Sequence, residues 1–139
     1  MAEPVRSSPG AQEVLAGLGA RMGIPGLRLD ADSSCQLVFD QRWVVTLVFA
    51  AARSRWLLSC PLAERHGAIT PGSQVAMLRA NFLGSGSGGG WLAVAPDGRP
   101  FLHMQVSQSE ASETVLLDVV ESLLNQAERW TERLHVGES

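Results

Sequence analysis

Lysine and tyrosine are absent from this 139-residue chain, so all eleven of its basic residues are arginines. No basic stripe with interleaved aromatics is present, and nucleic-acid binding is therefore not expected. The chain has only two cysteines, Cys35 and Cys60. They form no CxxC pair and lie in strand-like apolar runs, which predicts buried free thiols rather than a disulfide or a metal site. The three histidines, His66, His103 and His135, have no ligand spacing to one another or to cysteine, so no metal or other cofactor is expected. No apolar run reaches the roughly 18–20 residues of a membrane span. The longest, Trp43 to Ala52, is of strand length. Met1 to Gly10 is polar and lacks the apolar stretch of a secretory signal. The expectation is a cytoplasmic protein without membrane insertion.

What is present is globular composition, 45% apolar and 18% charged, on a chain of ordinary single-domain length. The net charge of −3 conceals an asymmetry. Residues 1–106 hold nine arginines against seven acids, whereas residues 107–135 hold six acids against Arg129 and Arg133. The acids of this last segment fall largely opposite an apolar stripe and read as a solvated helix face.

Residues 1–8 read as a flexible tail and residues 9–136 as one domain. Ser8 and Pro9 are placed to open a helix, in which Ala11, Val14, Leu15, Leu18 and Met22 recur at helical spacing. Gly23 and Pro25 end it. Short strands are predicted over Gly26–Asp30, Cys35–Phe39, Trp43–Ala50 and Trp56–Cys60, with turns at 30–34, 40–42 and 53–54. Only Thr46 interrupts the apolar run of the Trp43 strand, so either both faces are covered or one face awaits a partner. Thr70 and Pro71 open a second helix carrying Val75, Leu78 and Phe82. Residues 84–90, Gly-Ser-Gly-Ser-Gly-Gly-Gly, have the composition of a flexible linker. A hairpin follows, Trp91–Ala95 and Arg99–Val106. Ser107 and Glu110 fit a capping box for the last helix. Its stripe runs through Val115, Leu116, Val119, Val120, Leu123, Leu124, Ala127, Trp130 and Leu134. The fold class is α+β, an antiparallel twisted sheet of about five to six strands with three helices.

Nothing in this pattern carries catalysis. Gly84, Gly86 and Gly89 satisfy GxGxxG literally, but they follow a helix and precede a strand, the reverse of a dinucleotide site. The Asp30–Ser34 run lacks the glycine and glutamate that a calcium loop needs at its sixth and twelfth positions, which are Cys35 and Gln41. Ser59, Ser73 and Ser107 stand in no nucleophile elbow. Trp91, directly after the glycine run, is the best candidate for an interface tryptophan.

The succession Gly23-Ile24-Pro25-Gly26-Leu27-Arg28-Leu29-Asp30, Cys35-Gln36-Leu37-Val38-Phe39-Asp40 and Trp43-Val44-Val45-Thr46-Leu47 resembles the N-terminal half of class I type III secretion chaperones, the Tir-chaperone-like family. The order of the later elements is similar too, so the resemblance covers about residues 10–135. The chain departs from the pattern in its modest negative charge, in Ser33 and Ser34 where glycine is common, and in its long Gly/Ser run.

The resemblance implies a bacterial cytoplasmic homodimer that is not an enzyme. It would hold the N-terminal segment of a secreted effector in extended form and deliver it to the secretion apparatus, with the secretion ATPase as a further partner. By analogy Leu15, Leu18, Leu27, Leu29, Val38 and Val45 form the effector patch, and Val75, Leu78, Phe82, Trp91 and Leu92 the dimer seam. Two other readings stay open. One is a regulatory module of the same fold that sequesters a transcriptional regulator or anti-activator; the other is a small ligand-binding domain or enzyme built on the glycine run.

Overall fold

A computed structural model describes residues 7–62 and 69–134. The elements run α1 (Ser7–Met22), β1 (Ser34–Phe39), β2 (Trp43–Ala50), β3 (Arg55–Pro61), α2 (Pro71–Ala80), β4 (Trp91–Val94), β5 (Pro100–Ser107) and α3 (Glu113–Arg133). The strands form one antiparallel sheet in the order β1-β2-β3-β5-β4. The first three are a meander. β5 then inserts between β3 and β4, which leaves β1 and β4 as the two edges.

Period-two alternation decides which face is covered. On β2, Trp43, Val45, Leu47 and Phe49 are buried, and Val44, Thr46, Val48 and Ala50 are only half-buried. Trp56, Leu58 and Cys60 of β3 and Leu102, Met104 and Val106 of β5 join the buried side. There they form one core with Leu15 and Leu18 of α1 and with Leu116, Val120, Leu123, Ala127 and Trp130 of α3. α3 packs on β3, β5 and α1, and α2 packs beside β4. No described helix covers the other face, so of the two ways to account for the apolar β2 run, the uncovered face is the one observed.

Several expectations are corrected. Residues 26–30 are not a strand but a turn and an irregular stretch, so the sheet has five strands. Gly26 is at φ +78°, and Asp30 folds back on the start of β1 instead of pairing along its length. The first helix begins at Ser7, slightly ahead of the Ser8-Pro9 start expected from the sequence. The last helix opens at Ser112, not Ser107. The Ser112 hydroxyl accepts from the Val115 N–H at 3.1 Å, while Glu110 lies in a turn closed onto the Ser107 carbonyl. Position 115 is valine, so a single cap replaces the reciprocal box. His66, His135 and most of the loop between β3 and α2 lie outside the described residues.

The largest correction concerns the glycine run. Residues 84–90 are a packed loop with a hydrogen-bond network of its own. Ser87 is wholly buried and its hydroxyl donates to the Gly90 carbonyl at 2.6 Å. The Gly86 and Gly89 N–H groups donate to the Ala80 and Gly84 carbonyls. A Cβ at residue 86 would lie 2.8 Å from that of Ala80, and one at residue 90 would overlap the His103 carbonyl oxygen. These glycines are there for close approach, not for freedom of motion.

Candidate protein-binding surfaces

The β1 edge is built by hydrogen-bond parity. In an antiparallel pair, successive residues point their N–H and C=O groups alternately toward the partner strand and away from it. The Phe49 N–H donates to the Ser33 carbonyl at 2.9 Å. Stepping by two along the register, Cys35, Leu37 and Phe39 therefore face β2, and Ser34, Gln36 and Val38 face outward. Asp30 closes the first of these. Its N–H donates to the Ser34 carbonyl at 2.9 Å, and its Oδ1 accepts from the Ser34 N–H at 3.0 Å. The same carboxylate also accepts from the Asp32 N–H and the Ser34 hydroxyl. The Ser34 and Asp32 amides hold the Asp30 carboxyl below its usual range. Gln36 and Val38 have no outward backbone partner among the described residues. Val38 is 62% exposed.

Beside that edge the 27–29 segment is held against α1 by Gln12. The Gln12 Oε1 accepts from the Leu29 N–H at 3.1 Å. Leu27 and Leu29 are half-buried, with their inner atoms packed on the core. At the far end of β1, Asp40 and Gln41 both take positive φ and the Arg42 N–H closes onto the Phe39 carbonyl at 3.0 Å. The Arg42 guanidinium lies 4.4 Å over the Trp43 ring.

A second surface lies on α2. Thr70 caps the helix, accepting from the Ser73 N–H at 3.2 Å, with Pro71 as the first helical residue. Ser73, Met77 and Ala80 turn inward. Val75, Leu78 and Phe82 turn outward and line a shallow apolar groove with Arg79. Leu78 and Phe82 are 71% and 72% exposed. Leu83 beside them is exposed as well, on a backbone at φ +56°.

The uncovered sheet face carries a third group. Trp91 stacks on His103 at 5.2 Å between centroids, 11° from parallel, and the Phe101 ring lies 6.1 Å from that of His103. Ser59 is the cross-strand neighbour of His103. Ser59, Phe101 and His103 line a cavity of about 300 Å³ with Ala93, Val94 and Ala95. His103 Nδ1 is buried without a partner among the described residues, and burial pushes the His103 pKa down.

Several residues singled out from the sequence are not at a surface. Leu15, Leu18 and Val45 are fully buried, and Leu92 nearly so. They are core, placed there by the inward phase of α1, β2 and β4. Val38, Leu27 and Leu29 remain available along one edge, and Val75 and Leu78 on α2 together with Phe82, which lies in the 3-10 turn just beyond the helix and not in it as the sequence predicts. Trp91 stands apart from both groups. Both cysteines are buried and free. Among the described residues, no cluster of histidine, cysteine or carboxylate could hold a metal, and no helix is long and apolar enough to cross a membrane.

An open sheet edge, an exposed apolar helix and a half-covered sheet are features of an α+β domain built to bind polypeptide. Residues 13–131 match the Tir chaperone protein (CesT) family, and the chain belongs to that family. Among solved structures it is similar to a chain of the ExsC-ExsE complex, with a TM-score of 0.79 at 23% identity over 90% of this chain and 93% of that one. It is also similar to a chain of the HopA1-SchA chaperone-effector complex, with a TM-score of 0.77 at 18% identity over 94% and 99%. A third similarity is to a chain of the complex between the Yersinia pestis type III secretion chaperone SycH and a fragment of YscM2. There the TM-score is 0.68 at 23% identity over 84% and 95%. No curated protein matches the chain by sequence.

Proposed function

We propose that this chain is a type III secretion chaperone that binds the N-terminal segment of an effector in extended form, as a homodimer. The observation that carries this reading is the β1 edge. Gln36 and Val38 present two donors and two acceptors at the spacing of a neighbouring strand, beside the half-buried Leu27 and Leu29. A peptide strand added there gains main-chain hydrogen bonds, while its alternate side chains cover apolar surface. Burial contributes about 25 cal/mol per Å² of apolar area, less the cost of ordering the segment. Membership of a chaperone family and the likeness to chains of chaperone-effector complexes support the same reading.

The dimer forms through α2. Val75, Leu78 and Phe82 make a stripe that a two-fold-related copy covers with itself, as an isologous interface requires. Activity consists of holding and handing over the segment in the cytoplasm, with the secretion ATPase as the receiving partner and no catalysis by the chaperone.

Light scattering on the purified chain, alone and co-expressed with the product of the neighbouring gene, tests both parts. A dimer that captures the neighbour's N-terminal segment is expected. Val38→Pro removes an outward donor without touching the β1–β2 ladder and abolishes capture while the fold persists. Phe82→Asp yields monomers. A folded wild-type monomer that captures nothing refutes the proposal. Capture of a regulator in place of an exported protein would favour the regulatory reading of the same fold.

A further inference from the structure

The sheet has two edges, and their outward backbone groups are occupied differently. The register fixes β4 as it fixes β1. The Ala95 N–H donates to the Arg99 carbonyl at 2.8 Å. Trp91 and Ala93 therefore point their backbone groups at β5, and Leu92 and Val94 point theirs outward. The outward pair on Leu92 is already occupied. Asn81 Nδ2 donates to the Leu92 carbonyl at 2.9 Å, and Asn81 Oδ1 accepts from the Leu92 N–H at 2.7 Å.

A carboxamide presents one donor and one acceptor side by side, the same pair a strand residue offers its neighbour. Asn81 meets Leu92 as a residue of a sixth strand would. Its own backbone is anchored on both sides. The Asn81 N–H donates to the Met77 and Leu78 carbonyls, and its carbonyl accepts from the Gly84 N–H. The amide is thus held ready at the end of α2, which packs along β4. An exposed strand edge invites pairing with other chains, and proteins close such edges with charges, prolines, bulges or covering elements. β4 has none of the first three and uses the side chain of Asn81.

We propose that Asn81 stands in for a neighbouring strand and closes the β4 edge, so that strand addition is confined to β1. Closure of β4 follows from the fold. The confinement rests on the chaperone reading above, and makes Asn81 a specificity-determining residue for where the extended segment docks. With Leu92 occupied, Val94 is the single outward residue left on β4, too little for a ladder.

The test uses the full chain without any partner. Asn81→Leu keeps the size of the side chain and removes both hydrogen bonds. It is expected to form assemblies larger than the wild type in a concentration-dependent way by light scattering, and to raise amide exchange at Leu92 about tenfold, the effect of one lost neutral hydrogen bond. Adding Val94→Pro removes the other outward donor while leaving the β5 ladder intact, and returns the mass to that of the wild type. Wild-type mass with unchanged exchange in Asn81→Leu overturns the proposal, as does association that persists in the double variant. Should Asn81→Leu fail to fold, exchange in the wild type decides. A protected Leu92 beside a fast Val94 upholds the closure, and equal rates overturn it. These measurements need no effector, so failure to capture one bears on the chaperone reading and not on this result.

Discussion

Trp130 and Gly86, 44 residues apart, are joined by a hydrogen bond of 3.0 Å from the indole Nε1 to the glycine carbonyl. The Arg133 guanidinium lies 4.3 Å over the same ring. The bond ties the glycine loop to α3, and its loss has a definite cost. Trp130→Phe keeps an aromatic ring in the core but leaves the Gly86 carbonyl unpaired. It should destabilise by about 2–3 kcal/mol, from the orphaned acceptor and the smaller ring. Urea unfolding with an unchanged m-value checks this. A loss below about 0.5 kcal/mol would mean that the loop is not held by this bond.

The glycines should differ in tolerance by position. Gly90→Ala puts a methyl group into the His103 carbonyl, and Gly86→Ala crowds Ala80. Both should cost about 2 kcal/mol or more, as overpacking against fixed backbone does. Gly10→Ala meets nothing within 4 Å inside α1 and should stabilise by up to about 1 kcal/mol. Thermal melts of the three variants give the order directly.

Gln41 is held at φ +55° in the β1–β2 turn, next to Asp40 at the same φ. Left-handed backbone costs a side chain with a Cβ about 1 kcal/mol, which glycine avoids. Gln41→Gly should therefore raise the unfolding midpoint, although glycine elsewhere in the chain would lower it. A fall in the midpoint would show that the side chain makes a compensating contact.

His103 gives the stability a pH dependence. Burial, with the Trp91 and Phe101 rings nearby, depresses its folded pKa below the ordinary 6.5, and its cross-strand neighbour on β3 is the uncharged Ser59. The unfolded chain then binds the proton more readily than the folded one, so stability falls as pH drops below 6.5 toward the folded value. Denaturant midpoints from pH 8 to pH 5 should show this decline, and His103→Gln should flatten it. Asp30 acts in a lower window. Its pKa is lowered by the Ser34 and Asp32 amides, so its contribution is complete above about 3.8 and disappears as pH falls through the folded value.

Cys60 is fully buried, its thiol is 3.5 Å from the Pro61 carbonyl, and burial pushes its pKa up to about 12. The Cys35 thiol is raised too, by burial first and by Asp30 second. At pH 8 neither should react with iodoacetamide in the native protein, and both should react in urea. Mass spectrometry of labelled native protein would expose an error here as a single early adduct.

Much of this fold is legible in the sequence because period and punctuation agree. Thr70-Pro71 marks the start of α2, and the turn at Arg53-Ser54 before the apolar run Trp56–Cys60 marks a strand, observed as Arg55–Pro61. Glycine composition misled, because Gly86 and Gly90 are required by tight contacts with residues elsewhere in the chain, Ala80 and His103, which no local pattern reveals. Ser107 misled for a simpler reason. Either it or Ser112 can cap a helix, and β5 claims the former for its last residue. The candidate surface is legible only in part. An apolar residue for a core and one for a partner look alike in sequence, so Leu15 and Val38 fall into one candidate patch there, and only their phases on α1 and β1 separate them. The closure of β4 was invisible beforehand. Asn81 reads as a helix end, and its meaning depends on β4 lying beside it.

The insertion of β5 between β3 and β4 also has a consequence for synthesis. A chain made from its N-terminus produces β1, β2 and β3 as a hairpin-linked meander that can pair at once. β4 follows but has no strand to join until β5 has left the ribosome and settled on β3. For that interval the nascent sheet has a second bare side along β3, where Trp56, Leu58 and Cys60 await their ladder. Once β3 has emerged and until residues 100–107 follow it, the chain therefore carries an unpaired apolar strand edge, the kind of transient surface that makes partly folded chains prone to aggregate.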